Sequence, residues 1–303
     1  MENKENFVII DANSVIHRAF HALPPLKTKD GEIVNAVYGF LLVLFKLLKE
    51  LKPKYLVACF DLPLPTFRKQ AFAEYKAHRK KAPDELYNQI PVVKEVLRKF
   101  NVPVFEKAGY EGDDLIGTLA QKSKKNNIVV SGDLDNLQLI NENTFVYYLN
   151  KGVKSAVLYD KKAIGERYEG LSPKQLIDFK GLRGDASDNI PGVKGIGEKT
   201  ALKLIKEFGS IENLYLKMEK GKADLPEKIK EKLVKDKERA FLSKNLVEIK
   251  IDVPVEVDMK DCEWGGYDEK EVVKMLKNFG FNSLIKNVSV EEGKTVGENL
   301  KLW

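Results

Sequence analysis

Aspartates stand shortly after three apolar runs of this 303-residue chain, and their carboxylates are the side chains best suited to chemistry. These aspartates are Asp11, Asp61, Asp133 and Asp135. Two other clusters each hold a pair of acids three residues apart. The first consists of Glu111, Asp113 and Asp114, and the second of Asp185 and Asp188. A single acid after a strand or at a helix start is common, because the helix dipole and loops both favour it. Five such places in one chain instead indicate one shared acidic site.

The acid cluster at 111–114 opens a predicted helix, and its spacing puts Glu111 and Asp114 on one face with Asp113 pointing elsewhere. Like charges that meet repel each other and need a compensating cation. The chain has only three histidines, and its two cysteines stand far apart, so a metal here must be held by oxygen. Oxygen ligands favour Mg²⁺ or Mn²⁺. Two such ions ~3.5–4 Å apart commonly cleave phosphodiesters, so the acids predict a two-metal site.

The charge outside the candidate site fits a polyanionic substrate. The chain carries 51 Lys+Arg against 45 Asp+Glu, a net charge of +6. Without the nine candidate acids the remainder carries +15, and a basic body around an acidic pocket suits a nucleic acid. The apolar content of 43% excludes a disordered chain. Two cysteines predict a reducing, cytoplasmic setting, and the longest apolar stretch, 36–45, is too short to span a membrane.

Residues 68–81, which we call the basic segment, combine six Lys or Arg residues with aromatic side chains and one acid. Five members recur at steps of three and four, which predicts a shared helix face: Arg68, Phe72, Tyr75, Lys76 and Arg79. Cations on such a face neutralise phosphates while aromatics stack on bases, and Lys80 adds charge. The alternative is a solvated basic helix whose aromatics pack inward. Because the segment follows Asp61, we expect it beside the acids.

A glycine-rich turn at 191–201 leads into a predicted helix at 202–208. Glycines let a backbone approach a phosphate, and a helix N-terminus offers N–H groups to the anion. The candidate DNA contacts are Gly192, Lys194, Gly195, Gly197, Lys199 and Thr200. Glycines also serve ordinary helix–helix turns. The full pattern resembles the helix-hairpin-helix motif, which binds duplex backbone without reading sequence, and it lacks the Gly-Lys-Ser/Thr ending of a P-loop.

Strand and helix patterns alternate in the first half of the chain, which predicts an α/β fold with a mostly parallel sheet and helices on both faces. The predicted strands are 7–10, 55–60, 102–105, 128–130, 145–149 and 156–159, the last two nearer an edge. The predicted helices are 33–51, 84–100 and 112–125. From Ser172 as N-cap and Pro173 in the first turn, the pattern is helical to about residue 250. One more amphipathic helix is predicted at 268–279.

In chain order these motifs resemble the bacterial 5′ nucleases, the family of the 5′→3′ exonuclease domain of DNA polymerase I and of the flap endonucleases. The matching segments lie within about 5–285 and are 10–14, 60–61, 66–68, 75–79, 111–114, 131–135, 184–192 and 195–197. The resemblance implies a PIN-like, resolvase-like core and a small all-α helix-hairpin-helix (helix-three-turn-helix) domain. We expect domains at 1–170, with an arch or clamp at about 64–90, and 171–288, with the hairpin at 191–208, then a polar tail at 289–303.

The resemblance also assigns roles to the candidate residues. The region of a first metal ion would include Asp11, Asp61, Glu111, Asp113 and Asp114. A second metal ion, or its bound waters, would be held by Asp133, Asp135, Asp185 and Asp188. Asp113 and Asp133 would be essential for catalysis, with Lys76 and Arg79 as further catalytic residues. Tyr75, Lys76 and Arg79 would grip the 5′ strand near the scissile phosphate. The hairpin turn would hold the downstream duplex, with a monovalent cation (K⁺) bound there.

The implied activity is a Mg²⁺- or Mn²⁺-dependent 5′→3′ exonuclease and 5′-flap endonuclease. Its substrates would be duplex DNA with a 5′ flap, nick or free 5′ end, and RNA primers. It would act as a monomer in the cytoplasm, at the nucleoid, coupled to a DNA polymerase in Okazaki fragment processing and excision repair, with no membrane partner. Two alternatives remain: a DNA-junction-binding module without catalysis, which the intact acid set disfavours, and a PIN-type ribonuclease, which needs neither basic segment nor glycine-rich turn.

Overall fold

A six-stranded sheet forms the centre of the computed structural model, which describes residues 5–150 and 155–288. The strands are β1 (Asn6–Asp11), β2 (Tyr55–Cys59), β3 (Val104–Phe105), β4 (Asn126–Ser131), β5 (Thr144–Leu149) and β6 (Ala156–Tyr159). Their order across the sheet is β3-β2-β1-β4-β5-β6. The first five are parallel, and β6 runs antiparallel to β5 at the edge. The predicted mostly parallel α/β fold is therefore confirmed.

Helices surround the sheet and then form the second half of the described chain. The first group is α1 (Ala12–Ala22), α2 (Asn35–Leu51), α3 (Phe67–Ala71), α4 (Asp84–Tyr87), α5 (Gln89–Lys99) and α6 (Gly112–Lys122). After β6 come α7 (Lys161–Arg167), α8 (Gln175–Arg183), α9 (Glu198–Phe208), α10 (Ile211–Glu219), α11 (Glu227–Lys235), α12 (Lys237–Val247) and α13 (Glu269–Asn278). Short 3₁₀ helices occupy Asp135–Leu139, Met259–Cys262 and Asn282–Asn287. No helix in the described ranges is long and apolar enough to cross a membrane.

Alternate side chains of the central strands are buried on opposite faces of the sheet. On β1, Val8 and Ile10 join a first core with α1, α2 and α5, whereas Phe7 and Ile9 join a second core with α6 and the helices after residue 170. None of these four residues is more than 1% exposed. Burial on both faces explains why the central strands are continuously apolar in sequence.

Two helices begin at places that the sequence patterns do not predict. α1 follows β1 without a turn, because Asp11 ends the strand and also caps the helix by accepting a hydrogen bond from Ser14 N–H (3.1 Å). α8 begins at Gln175, so the prediction of Pro173 in its first turn was wrong. The residues before it form a separate turn, in which the Ser172 carbonyl accepts from Gln175 N–H (3.0 Å).

The strand order reverses direction at β1, since β2 lies on one side of it and β4 on the other. In open α/β sheets such a switch point opens a crevice at the carboxyl ends of the strands. Pairing of Asp11 with Cys59 and of Ile10 with Val130 brings the ends of these three strands level. α6 contacts both β1 and β2. The aspartates that follow the three strands therefore meet at one edge of the sheet.

The last described segment returns to the first core. Val272 and Leu276 of α13 pack there together with Leu284, and Trp264 Nε1 donates a hydrogen bond to the Phe100 carbonyl (2.9 Å). We therefore propose that residues from about 264 to 288 belong with the α/β domain, rather than with the helical domain predicted at 171–288. The predicted polar tail, 289–303, lies outside the described residues.

Candidate active site

A cavity of about 300 Å³ lies where β1, β2 and β4 end. Seven of the nine candidate acids line it: Asp11, Asp61, Glu111, Asp113, Asp133, Asp135 and Asp188. Its other polar lining residues are Asn13, Ser14, His17, Arg68, Tyr75, Lys76 and Arg79. Asp114 and Asp185 do not line the cavity. The topology thus assembles most of the acids that are far apart in sequence.

Serine hydroxyls fix the acids at the junction of β1 and β4. Asp11 Oδ2 accepts a hydrogen bond from Ser131 Oγ (2.6 Å), and Ser131 Oγ accepts one from Asp133 N–H (2.9 Å). Ser14 Oγ accepts from Gly132 N–H (2.9 Å), which ties the first turn of α1 to the turn after β4. Asp11 and Asp133 are therefore both anchored to one hydroxyl group.

Groups from α6 and from the 3₁₀ helix Asp135–Leu139 hold two further aspartates. Asp61 Oδ1 accepts a hydrogen bond from Gly112 N–H (2.6 Å) at the start of α6. Asp113 Oδ1 accepts from Asn136 Nδ2 (2.9 Å). Both carboxylates are thus oriented by neutral donors.

Burial and mutual repulsion act together on these aspartates. Burial raises the pKa of Asp11 to about 6, and the charge of Asp61 adds to the shift. Burial, with the charges of Asp11 and Asp133, raises the pKa of Asp113 well above its ordinary value. Removal from water and the charge of Glu111 also raise the pKa of Asp61. A site that crowds carboxylates in this way favours a bound cation.

Other acids of the cavity are paired with cations of the basic segment. Glu111 Oε2 accepts a hydrogen bond from Lys76 Nζ (2.9 Å), and Asp188 forms an ion pair with Arg79. Tyr75 OH lies 3.2 Å from Glu111 Oε2 and 3.4 Å from Asp188 Oδ2. The basic segment therefore neutralises one side of the acidic cavity.

Lys180 of α8 links two more acids across the domains. Its Nζ forms ion pairs with Asp135 and with Asp185, the latter at 2.8 Å. Burial raises the pKa of Asp135 to about 6, against the opposing effect of Lys180. Burial also opposes ionisation of Asp185, but Lys180 and Ser187 lower its pKa to about 2. Asp185 is therefore bound by protein groups and does not line the cavity.

Asp114 is held inside the protein rather than in the cavity. Arg68 donates to its two oxygens at 2.7 and 2.8 Å, and the N–H groups of Glu111 and Lys250 donate at 3.0 and 2.8 Å. Asp114 is 0% exposed and Arg68 only 2%. Glu111 and Asp114 lie together, as their spacing predicts, because they form a capping box at the start of α6. Asp113 lines the cavity, as Glu111 also does, whereas Asp114 does not. Arg68 is engaged by Asp114, so its predicted contact with DNA is not supported.

The basic segment is not the continuous helix that its spacing predicts. α3 ends at Ala71, and turns follow to residue 79. Lys76 adopts a left-handed backbone conformation (φ +54°), in which its N–H donates to the Asp188 carbonyl (2.8 Å). Tyr75 is 4% exposed, and Phe72 is half-buried against the same apolar cluster. The aromatics thus pack inward, as in the alternative interpretation, while Arg79 and Lys80 remain exposed.

The glycine-rich turn connects α8 to α9 and presents a polar surface. Gly195 (φ +80°) and Gly197, the N-cap of α9, are exposed, and so are Lys194 and Lys199. Lys232 Nζ of α11 donates a hydrogen bond to the Gly195 carbonyl (3.0 Å). Thr200 is half-buried in the first turn of α9. The exposed lysines and glycines are the part of this motif that a ligand can reach.

Gly192 lies inside the turn, so its predicted contact with DNA is not supported. It is buried at φ +60°, and a Cβ there would lie 2.3 Å from Gly184 N. Its N–H donates to Ser243 Oγ of α12 (2.9 Å). Glycine is required here because two backbones pack directly against each other.

We expect Gly192→Ala to lower the free energy of unfolding by more than about 2 kcal/mol, because alanine is strained at positive φ and clashes with backbone. Urea denaturation measures the change. Gly197→Ala is the matched control, since its φ is −89° and no atom lies within 4 Å of the added Cβ. Equal stability of the two variants would contradict the close approach of Gly192 to Gly184.

Four residues that the sequence did not single out shape the site: Ser14, Ser131, Asn136 and Lys180. The spacing of Ser14 from the N-cap Asp11 was the only available signal. A hydroxyl, an amide or a lysine in a helix is too common a feature to indicate a site, since the acid that it contacts is fixed only by the fold.

The acids fit a divalent cation by charge and donor type. Within residues 5–150 and 155–288, no group of three or more His, Cys, Asp or Glu side chains is arranged to enclose a metal ion. The ion pairs of the cavity engage Glu111, Asp135 and Asp188. The described ion pairs do not involve the four remaining aspartates, Asp11, Asp61, Asp113 and Asp133, which offer only oxygen ligands.

A parallel sheet with an acidic carboxyl edge, joined to a helical domain with a glycine-rich hairpin, defines a class of resolvase-like α/β proteins. Residues 6–169 match the family model of the 5′-3′ exonuclease N-terminal resolvase-like domain, and residues 171–270 match that of the 5′-3′ exonuclease C-terminal SAM fold. The chain therefore belongs to the 5′-3′ exonuclease family, and the family resemblance of its motifs is confirmed.

Individual relatives support this assignment. DNA polymerase I of Bacillus caldotenax is 43% identical over 301 residues, which cover 97% of this chain and 34% of that protein. The chain spans about a third of the length of the curated relatives it matches. The bacteriophage T5 D15 flap endonuclease with DNA and metal ions has a TM-score of 0.68 at 19% identity, covering 94% of this chain and 97% of that one. The catalytic core of Rad2 with DNA substrate has a TM-score of 0.63 at 19% identity, covering 94% of this chain and 93% of that one. These two structural similarities show the fold.

Proposed function

We propose that this chain is a metal-dependent nuclease that hydrolyses DNA as a 5′→3′ exonuclease and 5′-flap endonuclease, releasing 5′-phosphorylated products. The observation that carries the proposal is the set of four aspartates at the carboxyl edge of the sheet that have no ion-pair partner among the described residues. Membership of the 5′-3′ exonuclease family supports it. The T5 flap endonuclease and Rad2, whose structures contain DNA, share the fold.

Asp11, Asp61, Asp113 and Asp133 are the residues that would hold two Mg²⁺ or Mn²⁺ ions. Such ions activate water and stabilise the charge of a reacting phosphate. The chain contributes orientation, since Ser131 Oγ and Gly112 N–H hold two of these carboxylates through 2.6 Å hydrogen bonds. Glu111, Asp135 and Asp188 would join the set when their basic partners move to the substrate. Asp114 and Asp185 are left out of this proposal, because other protein groups already bind their oxygens.

Lys76 and Arg79 would bind a phosphate of the 5′ strand. Both already lie at the acidic cavity, paired with Glu111 and Asp188. A phosphate offers these cations the same kind of charge-assisted hydrogen bond. Exchange of a carboxylate for a phosphate would release the acid as the substrate arrives, so substrate binding and completion of the acidic site would be coupled.

The glycine-rich turn would hold the downstream duplex by its backbone. Lys194 and Lys199 are exposed beside the exposed backbone of Gly195 and Gly197. Such contacts neutralise phosphates without reading bases. The predicted K⁺ would compete with Lys232 Nζ for the Gly195 carbonyl, which already accepts a hydrogen bond from that lysine.

The cellular role follows from the relatives. Curated relatives of the chain include DNA polymerases I, in which it matches about a third of the length. Coupling to a DNA polymerase would place the activity in Okazaki fragment processing, RNA-primer removal and excision repair, in the cytoplasm at the nucleoid. The chain would act there as a monomer.

An end-labelled 5′-flap duplex tests the activity. We expect a 5′-phosphorylated product in Mg²⁺ and none in excess EDTA, with activity restored when Mg²⁺ is returned. Mapping the product on a denaturing gel gives the position of the cut. Single-stranded RNA of equal length serves as competitor and is expected to be cut at least about tenfold more slowly, since the basic segment and hairpin are placed for duplex DNA.

The same assay separates the alternatives. DNA binding without metal-dependent product would identify a junction-binding module. Faster cleavage of the single-stranded RNA would identify a PIN-type ribonuclease. Either outcome would contradict the proposed flap endonuclease.

A further inference from the structure

Asn136 is a buried amide beside the acidic cavity, and the proposed function does not use it. It lies in the 3₁₀ helix Asp135–Leu139 and is 0% exposed. Its Nδ2 donates hydrogen bonds to Asp113 Oδ1 (2.9 Å) and to Ser131 Oγ (3.3 Å). The amide thus connects an acid at the start of α6 with the end of β4.

The two partners fix the direction of the amide group. An ionised Asp113 can only accept hydrogen bonds. The hydroxyl hydrogen of Ser131 is donated to Asp11 Oδ2 (2.6 Å), so toward Asn136 this hydroxyl can only accept. Both partners therefore require the NH₂ end, and the reversed amide would place its oxygen against two oxygens.

The oxygen end of the same amide differs from its NH₂ end. Asn136 Oδ1 is buried and forms no hydrogen bond with the described residues. An unpaired buried carbonyl oxygen lowers stability, and leucine, with nearly the same volume, would carry no such penalty. Residues that sacrifice stability are typical of functional sites.

We infer that Asn136 is a positioning residue for the metal site, which holds the Asp113 carboxylate in one orientation and links it through Ser131 to Asp11. The inference rests on the proposed metal-dependent function. The link joins α6, β4 and β1, so it fixes carboxylates from separate elements relative to one another. Groups that orient metal ligands change metal affinity by ~10–100-fold when removed.

Asn127 provides a matched control. It is 1% exposed, lies on β4, and also has a buried Oδ1 that forms no hydrogen bond within the described part of the chain. Its Nδ2 donates to the Ala120 carbonyl (3.0 Å) and to Thr144 Oγ1 (3.2 Å), neither of which lines the acidic cavity. The two asparagines therefore differ in whether their amide reaches the acids.

Calorimetric titration with Mn²⁺, without DNA, compares Asn136→Leu and Asn127→Leu with the wild type, and melting in EDTA reports the stability of each. We expect Asn136→Leu to raise the Mn²⁺ dissociation constant by ~10–100-fold and to lower the melting temperature in EDTA by no more than Asn127→Leu does, since each variant loses two amide hydrogen bonds. Asn127→Leu is expected to leave the dissociation constant unchanged. Loss of Mn²⁺ affinity in Asn136→Leu alone, at similar stability of the two variants, is a result that a structural role cannot produce.

The opposite results are equally clear. An unchanged Mn²⁺ dissociation constant in Asn136→Leu would overturn the inference and leave the nuclease proposal intact. A melting temperature in EDTA far below that of Asn127→Leu would assign the amide to the fold and also overturn it. If the wild type binds no Mn²⁺ and shows no metal-dependent cleavage, the proposed function itself is wrong and the inference is rejected with it.

Discussion

Asp113→Asn is expected to slow cleavage of 5′-flap DNA by at least roughly 10³-fold, equivalent to about 4 kcal/mol of transition-state stabilisation. Asp113 has no ion-pair partner among the described residues, and burial with the charges of Asp11 and Asp133 raises its pKa. Its negative charge is therefore the one that a divalent cation would neutralise. Asparagine keeps the shape and can still accept the hydrogen bond from Asn136. DNA affinity in Ca²⁺, measured by fluorescence anisotropy, is expected to change little.

Asp30→Asn is the control for this substitution, since Asp30 is exposed in the turn between α1 and α2 and does not line the cavity. Its cleavage rate is expected to match the wild type. In EDTA, Asp113→Asn is expected to melt no lower than the wild type, because one of several repelling charges has been removed. Cleavage by Asp113→Asn at the wild-type rate in saturating Mg²⁺ would show that this acid has no part in the chemistry.

Arg68→Met is expected to lower the free energy of unfolding by about 3–5 kcal/mol, the largest stability change in the chain that we predict. The guanidinium is 2% exposed and satisfies both oxygens of Asp114, and it also donates to the carbonyls of Leu246 (2.9 Å) and Glu248 (2.8 Å). Methionine fills much of the volume but leaves Asp114 charged and buried without a cation. Urea denaturation measures the change.

Lys80→Met serves as the control for loss of one positive charge, because Lys80 is exposed in the same segment, and its effect is expected to be within about 0.5 kcal/mol. A double variant that combines Arg68→Met with Asp114→Asn separates the effect of the unpaired buried charge on stability from the effect of altered packing. We expect it to be less destabilised than the sum of the single variants, since no buried charge remains unpaired. A loss below about 1 kcal/mol in Arg68→Met would contradict the structural role of the pair.

The sheet and the meeting of its acids could be predicted because both depend on local pattern. The apolar runs before Asp11, Asp61 and Asp133 are continuous, which is typical of strands buried on two faces, and parallel strands bring their carboxyl ends together. The same reasoning could not separate Asp113 from Asp114. These neighbours differ by one helical step. Asp114 is held inside the protein by Arg68, which is 46 positions away in sequence, and Asp113 is not.

The basic segment shows why spacing alone can mislead. Its three- and four-residue periodicity predicted a helix, yet the helix stops at Ala71. Short helices are marginal without tertiary contacts, and here the contacts favour turns. Tyr75 is buried and Lys76 pairs with Glu111, so the backbone follows those side chains instead of its own hydrogen-bond pattern. Ion pairs between residues far apart in the chain cannot be recognised from the local sequence pattern.

The second core has a further consequence for how the protein denatures. It continues without a break from Ile9 and Leu115 of the α/β domain to Phe179 and Leu204 of the helical domain. Two domains that bury their apolar side chains against one another lose stability together. Heat or urea should therefore melt the chain in one cooperative step, and a protease that nicks the linker near residue 170 should leave no half that survives alone.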